Sequence, residues 1–138
     1  MTKKLHVITE ILLLIIVLCG CSYQPSFQQP RENIMKIDLV HNTDRGQEIL
    51  HTITEDGIDN FLDDLLELEY YKYNDPLGIP GEWEVWLYYS DGDVDIVGTR
   101  TDQYIKNGKW DAIGWHYYEE EDLLRLFDAY LPQPSKAN

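Results

Sequence analysis

Residues 83–98 read Trp-Glu-Val-Trp-Leu-Tyr-Tyr-Ser-Asp-Gly-Asp-Val-Asp-Ile-Val-Gly, two runs of aromatic and β-branched residues on either side of Asp91-Gly92. Asp-Gly between such runs signals a hairpin, because glycine accepts the positive φ that a tight turn needs. Taken as a two-residue turn, it sets Tyr89 opposite Val94, Leu87 opposite Ile96 and Val85 opposite Gly98 on one face. Trp86 and Tyr88 then share the other face with Val97 and Asp95. Asn107-Gly108 repeats the signal and pairs Ile105 with Trp110 and Tyr104 with Asp111.

Working outward, Met35, Ile37 and Leu39 alternate with Lys36 and Asp38, and Ile49, His51 and Ile53 repeat the alternation after a turn-rich stretch from Asn42 to Gly46. That pattern predicts a second hairpin. Thr54 is placed to cap a helix whose Ile58, Phe61, Leu62, Leu65 and Leu68 fall on one stripe. Tyr70–Gly81 lacks a period and reads as a loop. A last helix starts over Glu119–Asp122, carries Leu123, Leu126, Phe127, Tyr130 and Leu131 on one side, and stops at Pro132. The expected fold is α+β: an antiparallel meander of four to six strands with two amphipathic helices packed on one face. It occupies residues 34–132, with 133–138 a disordered tail.

The first twenty residues follow a different logic. Lys3 and Lys4 precede an apolar run from Ile11 to Cys19, too short for the roughly 20 residues a spanning helix needs. It reads as the apolar region of a signal peptide. Leu18-Cys19-Gly20-Cys21 then resembles the bacterial lipobox. The resemblance implies that Cys21 receives a diacylglycerol, that residues 1–20 are removed, and that the chain is held on the extracytoplasmic face of the cell membrane. An ordinary secretory signal with two incidental cysteines, or a buried apolar helix, is the plainer alternative. If Cys19 leaves and Cys21 is alkylated, the mature domain has no disulfide and folds on its core alone. Residues 21–33, with Pro25, Pro30 and three Gln, read as the lipidated Cys followed by a flexible tether reaching roughly 30 Å. With its lipobox, its aromatic strand ending in Tyr89-Ser90-Asp91-Gly92 and its amphipathic last helix, the chain is similar to the small exported α+β lipoprotein domains of unknown function in low-GC Gram-positive bacteria. That likeness implies no activity.

Lys and Arg number 11 against 25 Asp and Glu, a formal charge of -14. Nucleic acid is excluded as a partner, since binding it rests on neutralising phosphates. Asp91, Asp93, Asp95 and Asp102 have calcium-loop spacing, but Ile96 stands where that loop needs Gly, so they read as solvated strand acids. His41, His51 and His116 lack a zinc-ligand spacing, and His51 reads as a core or edge residue. No serine sits in a nucleophile elbow, and no Gly-rich loop awaits a phosphate. The sequence therefore assigns no catalytic residue, no metal site and no cofactor.

Trp86 and Tyr88 are the candidate binding residues. On a face opposite the helices they would present broad rings suited to a protein or glycan, unless the loop from Tyr70 to Pro80 folds over them. The expected function is a noncatalytic cell-surface module binding a protein or envelope component. The alternative is a small envelope hydrolase using paired carboxylates.

Overall fold

A computed structural model describes residues 23–72, 80–100, 102–112 and 116–133. Strands β1 (Ile34–Thr43) and β2 (Gly46–Thr54) form the first hairpin, followed by helix α1 (Asp56–Glu67) and a short β3 (Tyr70–Lys72). Then come β4 (Trp83–Tyr89), β5 (Val94–Gly98), β6 (Gln103–Lys106), β7 (Lys109–Ala112), β8 (His116–Tyr118) and helix α2 (Glu120–Tyr130). Six strands build one antiparallel sheet in the order β2-β1-β4-β5-β6-β7, and β3 and β8 pair separately. The fold is α+β.

Both helices lie on one face of the large sheet. Ile58, Phe61, Leu62 and Leu65 of α1 and Leu123, Leu126 and Phe127 of α2 pack on Ile37, Leu39, Ile53, Val85, Leu87 and Val97. Each fully buried side chain of this size contributes roughly 1.5–3 kcal/mol. The helices also meet each other: the Phe61 and Tyr130 rings lie edge to face at 4.9 Å, and the Tyr130 hydroxyl donates to Asp64. Tyr70 and Tyr118, paired across β3 and β8, extend the same core beyond the helices.

The central hairpin departs from its expected register. Gly92 N–H donates to Tyr89 O at 3.0 Å and Tyr89 N–H to Asp93 O at 2.9 Å, so the loop has three residues, Ser90-Asp91-Gly92, with Gly92 at φ 93°. This is the three-residue alternative to the tight turn, a bend followed by a positive-φ glycine. Asp91 favours it by accepting the Asp93 N–H at 3.0 Å, a bond that holds its carboxyl below the usual range. Val85 consequently faces Val97, Leu87 faces Asp95, Trp86 faces Ile96 and Tyr88 faces Val94. The β4 faces are as expected, and every β5 side chain is on the opposite face from that expectation. Asn107-Gly108 does form the two-residue turn, with φ of 51° and 74° and the expected pairs.

Irregularities in β1 and β2 correct the first hairpin in the same way. A register break between Ile34 and Lys36 turns Met35 outward, 62% exposed, and gives its core position to Ile34. A second break, opposite Leu39 and Val40, makes Leu50 the extra residue, so Ile49 leaves the row of Ile53 and is exposed. Thr54 ends β2 rather than capping α1, whose N-cap is Glu55, without a side-chain cap bond. Part of the expected loop is strand β3, because its tyrosines have a partner in β8.

The described part of the expected tether is not free. Tyr23 forms a β-bridge to Tyr70, Phe27 packs on the main core and Arg31–Asn33 make a single 3-10 turn. Gln28 and Gln29 bond the β4–β5 hairpin, while Arg31 reaches Asp63 at 2.7 Å on α1. Two prolines and three glutamines describe a linker by composition, but Gln28 bonds the buried Asp95 and Gln29 the exposed Asp91. The signal peptide, Cys21 and the expected tail beyond Gln133 lie outside the described residues. Among the described residues no helix is long and apolar enough to cross a membrane.

Candidate functional site

The second face of the large sheet carries no helix side chain among the described residues. Register places Thr54, Lys36, Tyr88, Val94, Ile105 and Trp110 in one row across six strands. The next row is Thr52, Asp38, Trp86, Ile96, Gln103 and Ala112. Val40, Trp86, Val94 and Ile96 form a second, smaller apolar cluster, flanked by Tyr88 and Ile105.

The two predicted binding residues lie side by side on this face, with ring centroids 6.2 Å apart. They are not an open platform. Trp86 is only 9% exposed, and Trp110 lies edge-on to it at 5.6 Å. Trp110 from β7 is thus a cover for Trp86 among the described residues, and residues 73–79 of the expected loop lie outside them. Tyr70 packs in the opposite core, and Tyr73 lies outside the described residues. Trp110 itself is 56% exposed, and Ile49 at the other edge is 58% exposed. Sequence reasoning paired Trp110 with Ile105 but did not single it out as the exposed ring. Its place on β7, which ends the strand order among the described residues, sets it at the edge of the sheet.

Acids fix the rings in place. The Trp86 indole N–H donates to Glu84 Oε2 at 2.9 Å. Glu84 is buried, and burial raises its carboxyl, an effect that Asn42, Trp86 and Gly81 offset in part; among the described residues Oε1 has no partner at full hydrogen-bond geometry. Gly98 opposite has to be glycine, since a Cβ there would meet Trp83 O at 2.4 Å and Glu84 Cγ at 3.0 Å. Asp38 is fully buried yet satisfied: Lys36 Nζ donates at 2.8 Å and Thr52 Oγ1 at 2.7 Å. Lys36 also lies 4.0 Å over the Tyr88 ring. Burial, and then Asp38, push the Tyr88 hydroxyl up to about 12, so it stays a neutral phenol.

The predicted solvated acids are corrected. Asp91 is exposed, but Asp93 and Asp95 are buried. Asp93 accepts the Asn107 N–H at 2.9 Å, and Asp95 accepts from Tyr89 and Gln28. Asp102 stands beside His116, whose Nδ1 is 3.4 Å from Oδ2. Among the described residues no three His, Cys, Asp or Glu converge to hold a metal ion.

A second feature is an open cleft of about 940 Å³ where the β1–β2 end of the sheet meets the start of α2. His41 stacks on Trp83 there at 3.8 Å and lies 3.3 Å from Glu82. Asn42 and Gly81, near the buried Glu84, line the cleft together with Asp44, Glu119 and Glu120. Compared with protein-family models, with curated proteins and with solved structures, the chain matches none.

Proposed function

We propose that the protein is a noncatalytic, lipid-anchored module of the cell surface, held by Cys21, which binds a protein or envelope component through its helix-free sheet face. Trp110 is the observation that carries this reading. An indole more than half exposed, braced edge-on by a buried Trp86, is a rigid anchor of the kind that dominates interfaces. A photo-crosslinking side chain at Ala112, beside Trp110 on the same face of β7, set against one at Asp128 on the exposed side of α2, tests it on intact cells. A defined adduct at 112 that Trp110→Ser abolishes, and none at 128, supports the reading; no adduct at 112, or equal adducts, overturns it.

A second reading, a small envelope hydrolase, is favoured by Glu84. A buried carboxyl raised by its surroundings, close to Asn42 and Gly81 of an acid-rich cleft, has the character of a proton donor. Hydrolysis of envelope polysaccharide that disappears in Glu84→Gln with the fold intact would establish it. Equal activity in both proteins would remove it.

A further inference from the structure

The β-bridge between Tyr23 and Tyr70 means that the folded unit begins two residues after Cys21. Two residues span at most about 7 Å, and the headgroup layer on each side of a bilayer is itself roughly 5–8 Å deep. A lipid on Cys21 therefore leaves no room for a standoff. The bonds from Gln28 to Asp95 and from Gln29 to Asp91 fix the following segment to the sheet, so the domain cannot swing away on it.

We propose that the surface formed by Tyr23 and the β3–β8 pair rests against the bilayer interface. This rests on the anchor reading above and adds the orientation of the domain. The chemistry of the surface suits that position. Tyr23 is 51% exposed, its ring 5.5 Å from that of His116, which in turn stacks on Tyr70. Tyr71 and Tyr117 pair on the other face of the small sheet with their rings 5.5 Å apart, so tyrosine rings flank the strand pair on both sides. Tyrosine collects at membrane interfaces because its ring prefers the acyl boundary and its hydroxyl the wet layer. The Tyr71 hydroxyl, donated to Glu69, is held up to about 12 and stays uncharged.

Charge sets the lipid preference. Glu69, Glu119 and Asp122 all act on Tyr71, and the whole chain is strongly acidic. Zwitterionic phosphatidylcholine accepts this surface, and anionic lipid repels it. Attachment through Cys21 keeps the local concentration high in either case.

The test uses the full chain, lipidated in a bacterial host, with Lys72→Cys on β3 or Gln47→Cys on β2 carrying a fluorophore in phosphatidylcholine vesicles with shallow spin-labelled lipid. Lys72 is expected to be quenched at least twofold more than Gln47. A ten-residue Gly-Ser spacer between Ser22 and Tyr23 should erase the difference, and anionic lipid should reduce it. Equal quenching at the two positions in protein that carries lipid overturns the orientation alone. Absence of lipid mass on Cys21 overturns the anchor, and the orientation with it.

Discussion

Gln28 and Asp95, 67 residues apart, are joined twice: the Gln28 backbone N–H meets Asp95 Oδ2 at 2.7 Å and its side-chain amide meets Oδ1 at 2.8 Å. The Tyr89 hydroxyl supplies the remaining donor at 2.6 Å. A buried carboxylate needs such donors, and each one lost costs about 1–3 kcal/mol. Gln28→Ala should lose about that much in urea unfolding. A chain starting at Ile34 loses the backbone donor as well and should unfold at still lower urea. Equal midpoints for the chain starting at Ile34 and the unaltered full chain would mean that this segment is only laid on the surface.

The rings of the second face should separate by burial. Trp86→Ser empties a filled site and should cost about 3–5 kcal/mol, comparable with Leu87→Ala in the main core at about 2–5. Trp110→Ser should stay within about 1 kcal/mol, because much of its ring is already in water. Chemical denaturation of the three variants ranks them, and a Trp110 variant as unstable as the other two would contradict the exposed anchor.

Two glycines should fail for different reasons. Gly92→Ala meets no atom within 4 Å and pays only for its φ of 93°, about 1–2 kcal/mol. At Gly98 the new Cβ would press on Trp83 O, a backbone atom of β4, and on Glu84 Cγ. Neither strand can yield without breaking the pair, so Gly98→Ala should cost about 3 kcal/mol or more. Thermal melts of both variants give the comparison.

Glu84 should make stability depend on pH. Its carboxyl is raised in the folded protein above its ordinary value of 4.5, so between the two values the folded state holds more protons than the unfolded one. Stability attributable to this group is therefore highest below pH 4.5 and falls as pH rises toward the folded value. Glu84→Gln keeps an acceptor for the Trp86 N–H and removes the titration. The stability of Glu84→Gln relative to the natural chain should increase across that window and then level off. A difference independent of pH would show that Glu84 is not held protonated.

Much of the architecture was legible because it is written in periods. The stripes Ile58-Phe61-Leu62-Leu65 and Leu123-Leu126-Phe127 repeat at helical spacing, and Asn107-Gly108 names its own turn. What escaped depends on partners far away in sequence. Nothing near Tyr70 announces that Tyr118 will pair with it, and nothing in Gln28 announces Asp95. Strand breaks at Met35 and Leu50 each moved one residue across the sheet, which no alternating pattern displays. The site was half legible: Trp86 and Tyr88 were put on the correct face, but their cover by Trp110 depends on how β7 sits at the edge of the sheet.

The acids buried in this sheet also police its assembly. If β4 and β5 closed through a two-residue turn, Asp95 would point toward the Trp86 face, away from Gln28 and Tyr89, and Val97 would leave the core beneath the helices. A desolvated carboxylate without donors costs more than such a misfit can recover. Asp95 thus adds little net stability, as is usual for a buried charge, and serves as a checksum on strand alignment. Only the native pairing returns its donors, so the misaligned hairpin is the less stable of the two alignments.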